Sequence, residues 1–210
     1  MRTVRELTPV RGEPRDDAEQ VTQLLPGEPL AVEETSGGWA RIRTAYDYPG
    51  WIRVEALGGD PDPGWLAATV TDPLDHARTL LGAPYLWGGM TAAGIDCSGL
   101  VHMSFRAAGR LVPRDAHQQE AAGEPIAETE LRPGDLITYG ESGASADHVA
   151  FWLGDGRILH STRRDGVDGV VEEHEPAELR ERRRAAVRLV GWRPGEASDR
   201  DGASAASPTV

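Results

Sequence analysis

The chain has 210 residues, of which 22 are arginine and none is lysine, and a formal net charge of −12. This acidic balance argues against nucleic acid or an anionic membrane as a partner, because such surfaces are normally met by basic patches. The lack of lysine excludes Schiff-base chemistry and a Walker-type phosphate loop, and no apolar run has the length of a membrane span.

The N-terminal quarter of the chain has the pattern of a small β-barrel. Residues 1–8 lack the apolar core of a secretory signal, so we expect a cytoplasmic protein. Short runs of alternating apolar and polar residues then recur about every ten positions, with turn signals between them. They predict strands at 20–25, 30–35, 39–44 and 51–54, in a barrel domain that covers residues 1–58.

The remainder predicts an α+β domain at residues 74–194, after a Pro- and Gly-rich linker at 59–73. Asp72 and Pro73 open a helix at 74–81, and a second helix begins near Cys97 and stops at Gly109. The small, polar residues 195–210 predict a disordered tail. Strands are expected at 136–139, 148–153, 157–161 and 185–192, and an exposed helix at 180–184.

Cys97 is the only cysteine, so it can join neither an internal disulfide nor a CxxC motif. It is either a small buried apolar side chain or a reactive thiolate, and its polar neighbours Asp96 and Ser98 favour the thiolate. A helix N-terminus contributes only about 0.3–1 kcal/mol to an anion. Since one pKa unit corresponds to about 1.36 kcal/mol, a nearby imidazolium has to supply the rest of the activation.

Two of the six histidines, His148 and His160, flank a turn at residues 154–156. A three-residue loop pairs Ala150 with His160 and makes the two imidazoles diagonal neighbours, whereas a two-residue turn places them on opposite faces. Glycine at position 156 favours the three-residue loop. We therefore expect His148 to act as a base that His160 orients. A zinc site of Cys97 and these histidines is an alternative, without an evident fourth ligand.

Several short motifs carry a resemblance to a known family. They are YLWGG at 85–89, DCSG at 96–99, VPRD at 112–115, RPGDL at 132–136, DHVA at 147–150 and LHS at 159–161. In order and spacing they make residues 74–194 resemble the NlpC/P60 cysteine peptidases. The resemblance implies a papain-like α+β fold without a cofactor or metal, in which Cys97 is the nucleophile, His148 the base, His160 the orienting residue and Tyr85 an oxyanion donor. It also implies cleavage of peptidoglycan stem peptides between D-glutamate and a diamino acid.

The predicted barrel resembles a bacterial SH3 module, and the combination is similar to the γ-D-glutamyl-L-diamino acid endopeptidases that recycle murein peptides. In that group the SH3 domain contacts the peptidase domain and closes one end of the cleft. The free amine of N-terminal L-alanine is bound by an acid, a tyrosine and the Asp before the nucleophile. These positions map to Glu19, Tyr48 and Asp96. Ser98 maps to a contact with the D-glutamate carboxylate, and His117 stands where a second, serine contact is expected.

Two other functions fit the same motifs. One is a general endopeptidase that acts on the intact wall, and the other is a non-catalytic protein that binds murein peptides. The complete set of Cys97, His148 and His160 favours an enzyme. A buried ammonium needs carboxylate partners, so selectivity for free peptides would distinguish a recycling enzyme from a wall hydrolase.

Overall fold

A computed structural model describes residues 1–193, which form two units, a five-stranded sheet and an α+β unit around a six-stranded sheet. The predicted disordered tail at 195–210 lies outside the described residues. No helix within residues 1–193 is long and apolar enough to cross a membrane.

The N-terminal unit is a five-stranded antiparallel sheet in the order β2-β1-β5-β4-β3. Val10, Leu24, Ile42 and Ile52 point inward and are fully buried, because alternate strand residues share one face. All four predicted strands are present, and one strand that the sequence analysis missed precedes them. The strands are Thr8–Arg11 (β1), Gln20–Leu24 (β2), Leu30–Ser36 (β3), Trp39–Thr44 (β4) and Pro49–Arg53 (β5), followed by a 3-10 helix at Val54–Ala56.

The C-terminal unit packs helices on an antiparallel sheet of order β12-β11-β10-β9-β13-β8. The helices are Pro73–Thr79 (α1), Cys97–Ala107 (α2), Ala116–Ala122 (α3) and Ala177–Glu181 (α4), with a 3-10 turn at Glu128–Glu130. The strands are Met90–Thr91 (β6), Gly94–Ile95 (β7), Glu124–Pro125 (β8), Leu136–Tyr139 (β9), His148–Gly154 (β10), Arg157–Arg164 (β11), Val167–His174 (β12) and Arg183–Arg188 (β13).

Helix α2 lies against the sheet through its apolar face. Leu100 and Phe105 pack with Val149, Phe151 and Leu159 of β10 and β11 in one buried cluster. The helix is therefore held along its length, and its first residue is fixed beside the start of β10. This arrangement positions the site.

Aspartates cap the starts of α1 and α2, and the sequence predicts this role for Asp72. The Asp72 side chain accepts a hydrogen bond from the Leu74 N–H at 2.9 Å, and Asp96 accepts one from Gly99 at 2.6 Å. Each bond satisfies one of the N–H groups that have no partner within the helix. The start of α2 at Cys97 is thus confirmed.

The prediction of an exposed helix at 180–184 is partly wrong. Helix α4 ends at Glu181, and Arg183 and Arg184 already belong to β13. Arg183 pairs with Tyr139 of β9, and its guanidinium donates to the buried carboxylate of Glu175. Strand pairing and this ion pair override the helical charge pattern.

The turn between β10 and β11 has two residues, and the predicted three-residue loop is wrong. Gly154 pairs with Arg157, so that only Asp155 and Gly156 form the turn. Both have left-handed φ angles, 50° and 71°, as two-residue hairpin turns require. In a regular hairpin, such a turn would place His148 and His160 on opposite faces of the sheet.

A β-bulge at Leu153 reverses that effect. The register shifts by one residue there, so that Phe151 lies opposite Leu159. A bulge inserts one unpaired residue into one strand. The extra residue returns His148 and His160 to the same face, as the predicted loop would have done.

The two units share a buried boundary with polar links. Arg106 of α2 and Glu28 of the barrel form an ion pair at 2.7 Å, in which Glu28 is fully buried. The Arg114 Nε donates to the Thr22 hydroxyl at 3.0 Å. These bonds fix the barrel against the helix that carries Cys97.

His102 lies at this boundary and makes the protein sensitive to acid. Its Nδ1 donates to the Val112 carbonyl at 2.8 Å, and its ring lies 4.3 Å from that of Tyr46. Burial, together with the positive charges of Arg114 and Arg106, lowers the pKa of His102 to about 3. The folded state therefore resists a proton that the unfolded chain accepts near pH 6.5.

Stability is expected to fall as the pH drops below about 6.5, by about 2 kcal/mol from His102 alone at pH 5. His102→Asn keeps an N–H donor and should make the free energy of unfolding less dependent on pH between 5 and 6.5. Urea unfolding at a series of pH values measures this, with exposed His174→Asn as the matched control. Equal pH dependence in the His102 variant and the wild type would contradict the prediction.

Candidate active site

Cys97 is the first residue of α2, and its side chain is buried, with 6% of the residue exposed. Burial and the nearby Asp96 carboxylate raise the pKa of its thiol to about 12, while the N–H groups of Val149 and Ser98 act in the opposite direction. Val149 directly follows His148 in β10. The thiol therefore lies against the start of the strand that carries the predicted base.

His148 and His160 are joined by a hydrogen bond of 2.8 Å between Nε2 and Nδ1. His160 is fully buried, and its Nε2 lies 2.8 Å from a carboxylate oxygen of Glu173. Burial is the main cause that lowers the pKa of His148 to about 3, with smaller contributions from His160 and Arg182. The pair thus has the arrangement predicted for a base and its orienting residue.

Burial favours the neutral thiol and the neutral imidazole in the resting site. The pKa of Cys97 is raised and that of His148 is lowered, both mainly because the charged forms lose water. Both directions oppose the preformed thiolate–imidazolium pair expected from the sequence. The helix N-terminus is too weak to reverse them.

Tyr85 faces the thiol from a loop. Burial and the proximity of Cys97 raise the pKa of its phenol, so that it remains an O–H donor. Arg163 holds the residue in place, because its guanidinium donates to the Tyr85 carbonyl at 2.6 Å and lies 5.1 Å from the ring centre.

A cavity of about 430 Å³ opens beside Cys97, between the barrel and the α+β unit. Four carboxylates and a single arginine line it, so its charge favours a cationic ligand group. Every substrate-binding residue predicted from the sequence lies on this cavity. Its lining comprises Glu19, Val21, Tyr48, Trp87, Asp96, Cys97, Ser98, Arg114, Asp115, Ala116, His117, Ala146 and Asp147.

Two polar contacts join the barrel to the far wall of this cavity. The Trp87 indole N–H donates to the Glu19 carboxylate at 2.7 Å, and the Tyr48 hydroxyl donates to Asp115 at 3.0 Å. Burial raises the pKa of Tyr48 and of Asp115. The barrel therefore contributes both a carboxylate and a phenol to the pocket beside the thiol.

Asp96 differs from Glu19 because its charge is already matched. Arg114 donates to both of its oxygens, at 3.0 and 2.7 Å, and the Gly88 N–H donates to one at 2.7 Å. Arg114 also donates to the Ser98 hydroxyl at 2.9 Å. This buried network holds the start of α2, while His117 lies exposed at the rim.

A second cavity, of about 330 Å³, lies beside His148. Its charged lining comprises two carboxylates and three arginines, and the predicted base and oxyanion donor also line it: Tyr85, Asp147, His148, Arg163, Arg164, Glu178 and Arg182. Cys97 thus lines one recess, while His148 and Tyr85 line another. Within residues 1–193, no group of three or more His, Cys, Asp or Glu side chains is arranged to hold a metal ion.

Four further residues of the site were not predicted from the sequence, namely Trp87, Arg114, Asp115 and Glu173. The first three lie inside the motifs that carry the family resemblance, but the sequence did not show which groups they contact. Glu173 lies on β12, a strand that the sequence analysis did not predict. If β12 had been predicted, Glu173 would have stood two residues after Val171, the residue that lies opposite His160.

A cysteine at the N-terminus of a helix, with a histidine pair on the adjoining antiparallel strands, defines the class of papain-like cysteine peptidases. Residues 82–187 match the family model "NlpC/P60 family", and residues 10–57 match "Bacterial dipeptidyl-peptidase Sh3 domain". The chain belongs to the NlpC/P60 family.

Two curated relatives agree with this membership, and a solved structure shares the fold. A Bacillus subtilis protein named γ-D-glutamyl-L-lysine dipeptidyl-peptidase is 38% identical over 64% of this chain and 44% of its own length. A probable endopeptidase of Corynebacterium glutamicum is 37% identical over 69% of this chain and 74% of its own. A crystal structure of an NlpC/P60 family protein from Bacillus cereus covers 90% of this chain and 62% of its own, with a TM-score of 0.55 at 23% identity, which shows a shared fold. The chain spans less than half the length of the Bacillus subtilis relative.

Proposed function

We propose that the protein is a cysteine endopeptidase that cleaves the γ-D-glutamyl–L-diamino acid bond of murein peptides with a free N-terminal L-alanine. The observation that carries this proposal is the acidic cavity, in which Glu19 and Tyr48 of the barrel face Cys97 of the α+β unit. A requirement for a free amine restricts the enzyme to peptides already released from the wall, and such peptides are the substrates of a recycling reaction.

The proposed reaction uses Cys97 as the nucleophile and His148 as the base. The thiol attacks the γ-carbonyl of D-glutamate while its proton passes to His148, and the carbonyl becomes an oxyanion. The Cys97 backbone N–H and the Tyr85 hydroxyl donate to this oxyanion. His148 then protonates the departing amine, the thioester forms, and water hydrolyses the thioester with His148 again as base.

The cavity supports recognition of the two residues before the scissile bond. The L-alanine ammonium would lie among Glu19, Tyr48 and Asp96, where negative charge exceeds positive charge. Because Arg114 balances Asp96, Glu19 and Asp115 supply the net attraction. Ser98, backed by Arg114, would hold the D-glutamate carboxylate, and His117 at the rim is in reach of the same region.

The second cavity supports a place for the leaving group. His148, which protonates the departing amine, lies on that cavity, whereas Cys97 lies on the acidic one. The diamino acid would therefore occupy this second recess, which offers both arginines and carboxylates to its charged groups. The name of the Bacillus subtilis relative, a γ-D-glutamyl-L-lysine dipeptidyl-peptidase, supports a bond of this type.

Incubation with L-Ala-γ-D-Glu-diaminopimelate tests the proposal directly. We expect release of free diaminopimelate, detected by mass spectrometry, together with L-Ala-γ-D-Glu. No release from this peptide or from its lysine analogue would contradict the proposed activity and favour a peptide-binding protein. Equal rates on intact wall would favour a general wall hydrolase.

Glu19→Gln is expected to lower kcat/KM for the free peptide by about tenfold to a hundredfold, because a charge-assisted bond is worth about 1.5–3 kcal/mol. N-acetylation of the peptide should cause a comparable loss in the wild type and little further loss in the variant. Glu33→Gln, in the same barrel but absent from the cavity lining, is the matched control. Equal cleavage of acetylated and free peptides by the wild type would contradict amine recognition.

A further inference from the structure

A carboxylate ends the chain of hydrogen bonds that begins at His148. The Nε2 of His148 contacts the Nδ1 of His160 at 2.8 Å, and the Nε2 of His160 contacts the Oε1 of Glu173 at 2.8 Å. Arg164 donates to both oxygens of Glu173, and interaction with Arg164 and His160 lowers the pKa of Glu173. Glu173 is therefore an ionised group at the end of the chain.

An ionised carboxylate can only accept hydrogen bonds, and this fixes the direction of each bond before it. His160 must carry its proton on Nε2 to donate to Glu173. A neutral His160 then has a lone pair on Nδ1, which can only accept, so His148 must donate from its own Nε2. The lone pair of a neutral His148 is left on Nδ1, the ring nitrogen that remains for the thiol.

We propose that Glu173 is a positioning residue that sets the proton-bearing nitrogen of both histidines and so presents His148 to Cys97 as a base. This inference rests on the proposed function for its catalytic consequence. The tautomers themselves do not depend on the activity and can be observed without it.

Glu173 also has a role once the proton has moved. When His148 takes the thiol proton, its ring becomes positive, and only the His160 ring lies between it and the negative carboxylate of Glu173. His160, which is fully buried, transmits that attraction through its two hydrogen bonds. The carboxylate therefore favours the charged state of the pair, which burial opposes.

The adjacent residue, Glu172, provides a matched control. Successive residues of β12 point to opposite faces, and Glu172 pairs with Arg78 and Arg157 on the other side, at 3.0 and 3.2 Å. Both glutamates belong to one strand and both are partly exposed, but only Glu173 contacts a histidine.

The test combines NMR of ¹⁵N-labelled histidine with kinetics of the full chain. In the wild type near pH 7.5, both histidines should be neutral and protonated on Nε2. Glu173→Gln should mix the two tautomers, because an amide can turn either oxygen or nitrogen toward His160. Glu172→Gln should leave the tautomers unchanged.

The kinetic effect is expected in kcat and in the pH profile. Glu173→Gln should lower kcat by about tenfold to a hundredfold with KM within about twofold. It should also move the acidic limb of the kcat/KM profile, which reports loss of the proton from the His148 imidazolium, to lower pH, because the imidazolium loses its negative neighbour. Glu172→Gln should do neither.

Several results would overturn the inference. In the wild type, a proton on Nδ1 of either neutral histidine would do so, even if no variant folded. Unchanged tautomers and an unchanged pH profile in Glu173→Gln would do so as well. If the wild type showed the expected tautomers but cleaved no murein peptide, the proposed function would fail and the role of Glu173 in setting the tautomers would stand.

Discussion

Replacement of Cys97 by alanine is expected to lower the release of the diamino acid by about 10⁴-fold or more, because the reaction loses its nucleophile. His148→Ala should cost about 10²–10⁴-fold, the usual contribution of a general base. Release of diaminopimelate from the L-Ala-γ-D-Glu peptide measures both effects.

The control for Cys97→Ala is Ser104→Ala in the same helix. The Ser104 hydroxyl donates to the Leu100 carbonyl at 2.7 Å and lies away from the acidic cavity, so this variant should keep the wild-type rate. Circular dichroism checks that each variant is folded. If folded Cys97→Ala turned over the peptide as fast as the wild type, the nucleophile would have to be another group.

Arg114→Met is expected to lower the free energy of unfolding by about 3–5 kcal/mol, the usual cost of leaving one member of a buried ion pair without its partner. Arg114 is 1% exposed and Asp96 is 5% exposed. The guanidinium also donates to Thr22, Ser98 and the Gly89 carbonyl. Urea unfolding at neutral pH measures the loss.

Two further variants separate charge burial from lost packing. Addition of Asp96→Asn to Arg114→Met removes the stranded charge and should recover part of the stability. Arg78→Met breaks a more exposed pair with Glu172 and should cost less than about 1 kcal/mol. If Arg114→Met cost no more than Arg78→Met, the buried network would not hold the two units together.

Local signals in the sequence were sufficient for most of the fold. Alternation and turn residues located four of the five barrel strands, and Asp72 marked the start of α1, where its side chain caps the Leu74 N–H. The motifs around Cys97 and His148 identified two residues that the structure places at the start of α2 and at the start of the adjoining strand β10. These features depend on a few neighbouring residues, which is why the sequence alone revealed them.

The features that were missed depend on pairing between distant residues. The pattern of residues 153–156 favoured a loop of the wrong length, because the bulge at Leu153 depends on the pairing of the whole hairpin. The link from Tyr48 to Asp115 spans 67 positions and two units. Glu173 reaches His160 only because β11 and β12 pair in one particular register.

The boundary between the units also limits how the protein can be shortened in evolution. Thr22 and Glu28 provide acceptors for the two buried guanidiniums of Arg114 and Arg106. A homologue without the barrel would leave both guanidiniums without these acceptors. Arg114 would be affected next to Asp96, the N-cap of the helix that carries Cys97. Such a lineage would have to replace both arginines as well, so we expect these substitutions to accompany any natural loss of the barrel.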